Sequence, residues 1–230
     1  MVLKIVKTVW PVMLTYVAVG APCGMIMGQT GMEPWMVFAL SSTFVTGSGQ
    51  FMICNLWLAG VPAPSIIASV AAISSRFALY SASLAPHLAG ASKRQTLAVT
   101  ATLTEEAYGI SLAKLVEDDG WGPKEAFALN AILIATWGVA CTAGAVAGAA
   151  IDVPTAIAGF VCTSLFICLL FSQRLSRGNV VAAVSGAVSV AMFKFLGLTN
   201  IAVPASVVVG VVIALVCDAL SDGRGARDAR

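Results

Sequence analysis

The 230-residue chain alternates long apolar runs with short polar turns. No Asp, Glu, Lys or Arg occurs from Thr8 to Met32, Pro34 to Ser75, Ala126 to Ile151, Val153 to Gln173 or Phe195 to Cys217. Shorter uncharged stretches run from Phe77 to Ser92 and from Gly178 to Phe193. A helix that crosses a bilayer needs about 20 apolar residues, and most of these runs reach or approach that length. Apolar segments are therefore predicted at about 8–28, 34–60, 63–88, 96–115, 124–150, 154–172, 179–198 and 203–220. Breakers separate them: Gly31 with Pro34, Gly60 with Pro62 and Pro64, Gly120 with Pro123, Pro154, Gly178, and Asn200 with Pro204.

Two segments depart from the pattern. Segment 34–60 is interrupted by TGSGQF (Thr46 to Phe51), where two glycines and a serine flank Gln50. Segment 96–115 carries threonines, Glu105, Glu106 and Tyr108 on all faces of a notional helix, so it cannot face lipid. Irregular or polar backbone at membrane depth needs protein or water around it. If both are broken or re-entrant, Lys93 and Arg94 fall on the same side as Lys4, Lys7, Arg174, Arg177 and the tail arginines. Positive-inside counting then favours six full spans plus two broken or re-entrant segments, with both termini cytoplasmic, over eight spans.

Composition agrees. Hydrophobic residues make up 59% and charged residues 10%, with a mean hydropathy of +0.92, against about 25% charged in soluble domains. This excludes a soluble enzyme, a nucleic-acid-binding protein and a disordered chain, and a net charge of +2 suggests no anionic partner. The expected fold is an all-α integral membrane bundle. Residues 1–220 form one transmembrane transport domain and 221–230 a short polar cytoplasmic tail. The first segment is read as a retained helix rather than a signal peptide, because the remainder is equally apolar. Cys23, Cys54, Cys141, Cys162, Cys168 and Cys217 lie in apolar segments with no metal-ligand spacing. They read as packing residues, and no metal or cofactor is expected.

The exceptional charge is Arg76, near the middle of segment 63–88. A lipid-facing charge there costs about 2.5–3.5 kcal/mol on insertion scales. At 100° per residue, Ser65, Ser69, Tyr80, Ser83 and His87 fall on its face, so one stripe of this helix is polar and faces a bundle interior or an aqueous path. A structural ion pair is the alternative to a transport role. Glu105 and Glu106 are the available partners. A carboxylate beside an arginine stays ionised, and one desolvated without a partner takes up protons more readily. Adjacent helical side chains diverge by about 100°, so one glutamate can pair while the other carries a proton. The competing reading has both solvated at the surface. His87, after Pro86, is either an interfacial residue or a proton relay. In the Gly47–Gln50 break, freed backbone N–H groups can meet a substrate carboxylate, or the break is a kink without a ligand. Asn130 reads as an interhelical hydrogen bond. Gly20, Gly24 and Gly28, with Gly144 and Gly148, read as close-packing seams.

The order of these motifs is distinctive: Pro11 to Gly24, then TGSGQF, then SSRFALYSASLAPHL (Ser74 to Leu88), then LTEEAY (Leu103 to Tyr108). It resembles the AzlC family, the large subunit of bacterial branched-chain amino acid exporters. Gly49, Gln50, Phe51, Arg76, Leu84, Ala85, Pro86, Thr104 and Glu106 match the family pattern, whereas Ser74, Ser75, Phe77 and Glu105 depart from it conservatively. The resemblance implies export of neutral hydrophobic amino acids such as valine across a bacterial inner membrane, with a small AzlD-like membrane subunit and a possible homo-oligomer. Gly47, Gly49, Gln50, Phe51, Arg76 and Tyr80 are then the substrate-binding candidates, and Glu105, Glu106 and His87 the proton-coupling candidates. A channel or structural membrane subunit, or an intramembrane enzyme using His87 with a glutamate, are the competing classes.

Overall fold

The computed structural model describes residues 1–88, 90–117, 120–150, 160, 163–164, 167 and 177–228. The predicted segment 154–172, with Cys162 and Cys168, lies almost wholly outside these residues, as do Asp118, Asp119 and Arg174. The described chain is helical: α1 (Val2–Gln29), α2 (Pro34–Thr43), α3 (Gly47–Leu58), α4 (Ala63–Ser74), α5 (Arg76–Leu84), a 3₁₀ turn (Ala85–Leu88), α6 (Lys93–Ala101), α7 (Glu105–Glu117), α8 (Pro123–Ala150), α9 (Arg177–Phe195) and α10 (Thr199–Asp228). Among the described residues, Val2–Gln29, Ala63–Leu88, Pro123–Ala150 and Gly178–Phe195 are long and apolar enough to cross a membrane, and Ala205–Cys217 is a shorter apolar helix. The chain is an all-α polytopic membrane protein.

It divides into two compact units. The first holds α1–α3 and α5–α8. Its core is the pairing of α1 with α8, each 28 residues, or about 42 Å at 1.5 Å per residue. Small residues bring the backbones together. A Cβ on Gly24 would overlap the Cys141 carbonyl, one on Gly144 would overlap the Ala21 carbonyl, and one on Gly20 would stand 3.0 Å from Ala140 Cβ. The glycine seams read from the sequence thus face one another. Trp10, Leu14 and Val17 of α1 and Val139 and Val146 of α8 point outward, as lipid-facing residues do.

Both unusual segments are broken, as expected, and by one device. Phe44 leaves the helix (φ −105°, ψ 83°). Thr46 then caps α3, its hydroxyl accepting from Gly49 N–H at 3.2 Å and its carbonyl from Gln50 N–H at 3.0 Å. Thr104 caps α7 in the same way, through Ala107 N–H at 3.0 Å and Tyr108 N–H at 2.9 Å. Threonine is a favoured N-cap because its oxygen satisfies an orphan donor. The end of α6 is held from α8: Asn130 Nδ2 donates to the Val99 carbonyl at 2.9 Å and to Thr102 Oγ1 at 3.0 Å. This is the interhelical bond expected of Asn130. Ser75, between α4 and α5, keeps helical angles (φ −57°, ψ −25°), unlike Phe44.

In the second unit, α9 and α10 pack through Gly210, where an added Cβ would lie 3.1 Å from the Ala182 carbonyl oxygen. Gly197, at φ +76°, makes the turn between them, a conformation that costs glycine little.

Candidate functional site

Both breaks of the first unit, and the residues on either side of Ser75, flank one cavity of about 180 Å³. Thr43, Phe44 and Thr46 border it from the α2–α3 break, Thr100 and Leu103 from the α6–α7 break, and Ser74 and Phe77 from either side of Ser75. This is smaller than the roughly 300–1,000 Å³ of drug-sized sites, and suits one small molecule. The Ser74 hydroxyl is buried without a hydrogen-bond partner among the described residues.

Arg76 starts α5, between the cavity-lining Ser74 and Phe77 in sequence. Its guanidinium carbon sits 5.6 Å from the centroid of the Phe77 ring. One terminal nitrogen forms an ion pair with Glu105 and donates to Ser48 Oγ at 2.5 Å, while Nε is buried and unpartnered among the described residues. Ser48 also lies 3.3 Å from both Glu105 Oε1 and Thr46 Oγ1, so the capped start of α3 is linked directly to the ion pair. The Arg76 and Glu105 side chains retain 26% and 23% exposure. The pair is therefore reachable, in contrast to a charge pair sealed in a core.

The two glutamates diverge as helical geometry requires. Glu105 turns to Arg76, whereas Glu106 accepts from the Tyr16 hydroxyl of α1 at 2.6 Å. Tyr16 also lies 3.0 Å from Thr104 Oγ1 and packs edge-on against Trp137, with ring centroids 5.3 Å apart. Further along α5, Tyr80 stacks on Tyr108 with ring centroids 4.6 Å apart, and Ser83 Oγ lies 3.0 Å from Tyr108 Oη. The Arg76, Tyr80 and Ser83 part of the polar stripe is thus directed at α7.

The remaining candidates stand differently. Gln50 is fully buried: its Oε1 accepts from Trp137 Nε1 at 2.9 Å and Ser41 Oγ at 3.3 Å, and its amide nitrogen donates to the Phe44 carbonyl at 2.5 Å. In this conformation the amide holds the break together. Phe51 is likewise fully buried. Gly47 leaves room for Trp137, 3.0 Å from where its Cβ would be, and Gly49 leaves room for Thr46 and Phe44. His87 is exposed and lines a separate groove with Trp121, Lys124 and Glu125. Tyr16, Ser48 and Trp137 were missed by sequence reasoning. Tyr16 and Trp137 sit in apolar runs with no local polar pattern, but the Thr-x-x spacing before each half-helix did carry the signal for Thr46 and Thr104.

Residues 11–151 match the family model described as AzlC protein. The chain belongs to the AzlC family. The matched region spans every residue of the Arg76 cluster and its cavity. This AzlC-family chain is also similar to the inner membrane protein YgaZ of Escherichia coli (strain K12), 25% identical over 210 residues, covering 88% of this chain and 83% of the relative. No solved structure matches it significantly. Family membership and the apolar helices together make it a membrane protein of transporter type.

Proposed function

We propose that this AzlC-family protein is a secondary transporter that exports branched-chain and other small hydrophobic amino acids across the bacterial inner membrane. One observation carries the reading: a partly exposed Arg76–Glu105 pair at the starts of α5 and α7, tied through Ser48 to the start of α3. The substrate carboxylate replaces Glu105 on the guanidinium, and the released Glu105 takes up the coupling proton. Only a ligand with differential affinity for two states can drive such a switch, and a competing carboxylate has that property. Glu106 and His87 are secondary candidates in proton transfer, and Tyr80, stacked on Tyr108, borders the same helix face. A small AzlD-like subunit, a possible homo-oligomer and cytoplasmic termini belong to the proposal on the strength of the family resemblance and the charge distribution.

The test is efflux from proteoliposomes loaded with labelled valine or leucine. Arg76→Ala is expected to abolish efflux while the protein remains folded, and collapse of the proton gradient to stop efflux by the unsubstituted protein. Full transport by Arg76→Ala removes the arginine from the mechanism. Efflux indifferent to pH leaves a facilitator, and non-saturable flux leaves a channel.

A further inference from the structure

Helices α1 and α8 are parallel. Gly20 lies against Ala140, Gly24 against Cys141, Gly28 against Ala145 and Met25 against Gly148, so both chains advance along the seam together. They begin at the same end, where Lys4 Nζ lies 5.8 Å from the centroid of the Trp121 ring, just before α8. The α6–α7 segment both starts and finishes there. Arg94, Gln95 and Ala98 border one cavity with Pro123 and Phe127 of α8. Gln95 and Leu115, near the two ends of the segment, border another with Trp121. Between these ends the chain reaches inward, Thr102 to Asn130 and Thr104 to Tyr16, halfway along α1. This is a hairpin and not a crossing.

Parity constrains the other broken segment. Parallel α1 and α8 require an odd number of crossings between them. With α6–α7 making none, one of the stretches α2–α3 and α4–α5 crosses and the other does not. Ala63–Leu88 is long and apolar enough to cross, so α2–α3 turns back. It starts at Pro34, directly after the end of α1 and so at the end away from Lys4. Its tip reaches Trp137, 3.0 Å from a Cβ on Gly47. By Gln50 the chain meets Cys23, further toward the end of α1 than Tyr16.

We propose that α2–α3 and α6–α7 are re-entrant hairpins rooted on opposite faces of the membrane, and that the Arg76 cluster is where they close on each other. Ser48, in the first turn of α3, and Glu105, which starts α7, hold the same guanidinium nitrogen. Each face thus contributes one partner. Helix N-termini carry partial positive charge, and two of them beside an arginine call for anions. Glu105 and Glu106, the first two residues of α7, supply them. Lys4, Lys7, Lys93, Arg94, Lys114 and Lys124, the described lysines and arginines of the first unit other than Arg76, lie toward the end where α1 begins. The positive-inside rule makes that end cytoplasmic, so α6–α7 is the inner hairpin and α2–α3 the outer one. The inference goes beyond the transport reading and holds for any cargo.

Labelling of single cysteines by a membrane-impermeant, polymer-linked maleimide tests it on the full-length protein, in right-side-out spheroplasts and in inverted vesicles. The unsubstituted chain sets the gel-shift background of the native cysteines. Lys93→Cys and Glu117→Cys bracket α6–α7, Glu33→Cys and Leu58→Cys bracket α2–α3, and Lys124→Cys marks the start of α8. Each of these side chains is exposed. The Lys93, Glu117 and Lys124 variants are expected to shift in inverted vesicles alone, and the Glu33 and Leu58 variants in spheroplasts alone. A variant that does not insert is replaced by its exposed neighbour, Arg94→Cys, Val116→Cys or Trp57→Cys. Opposite faces for the two ends of either segment make it a crossing and overturn the inference, as does one face shared by every position. An end that reacts only after detergent is added does not lie at a surface and overturns its hairpin. The reverse pattern supports the opposed hairpins and overturns the assignment of faces. Valine efflux by the unsubstituted chain is read separately, so the hairpins and the transport reading fail independently.

Discussion

The indole N–H of Trp137 on α8 donates to Gln50 Oε1 at 2.9 Å, across 87 residues of sequence. That bond ties the first interrupted segment to one of the two long packed helices. Trp137→Phe removes one donor and leaves Gln50 bonded to Ser41 and Phe44, a loss of about 1 kcal/mol by the scale of hydrogen bonds within membranes. Gln50→Leu leaves the buried Trp137 N–H without its partner, while the Phe44 carbonyl keeps the Thr46 N–H at 2.9 Å, and should cost about 2–3 kcal/mol. Thermal unfolding in detergent should rank the two in that order, and the reverse ranking would show that Gln50 does not hold the break.

The seam between α1 and α8 makes a sharper prediction. Gly24→Ala and Gly144→Ala each place a methyl group on a backbone carbonyl of the facing helix, which no rotamer can relieve. Both should fail to yield monodisperse protein. Gly28→Ala meets nothing closer than 3.7 Å and should behave as the unsubstituted chain in size-exclusion chromatography.

Asn130→Ala removes the side chain that holds Val99 and Thr102 at the end of α6. The expected loss is about 1 kcal/mol, concentrated at one helix end. Hydrogen exchange should therefore quicken at the α6–α7 break before it does in α8. Uniform acceleration would place the role of Asn130 elsewhere.

Tyr16→Phe separates the two carboxylates experimentally. It deletes the bond to Glu106 and leaves the Arg76–Glu105–Ser48 cluster intact. If Glu105 carries the coupling proton, valine affinity and the number of protons moved per substrate should persist in Tyr16→Phe. Glu105→Gln should uncouple transport from the proton gradient. Loss of coupling in Tyr16→Phe alone would transfer the role to Glu106.

Much of this arrangement was legible in sequence because charge is costly in a membrane and so marks its own position. Arg76 and the glutamates stood out against uncharged runs, and the polarity of 34–60 and 96–115 exposed both breaks. The glycine spacing of the first and fifth segments foretold a close seam. What could not be read was direction. Gln50 looked available to a ligand, yet its amide is turned inward on Trp137, Ser41 and Phe44, and no local pattern encodes a partner 87 residues away. His87 shares a helical-wheel face with Arg76 on paper, but it belongs to the 3₁₀ turn that follows α5, and it lines another groove.

The α1–α8 seam also gives the first unit one pair of helices in direct backbone contact. Helices whose backbones touch at Gly24 and Gly144 have no room there for even a methyl group, since a Cβ at either position would overlap the facing backbone. They act as a post. The half-helices α3, α6 and α7 are tied to that pair by the polar side chains Trp137, Asn130 and Tyr16, and their backbone ladders are already open at the breaks. A displacement of these half-helices would cost those side-chain bonds and no helical ladder.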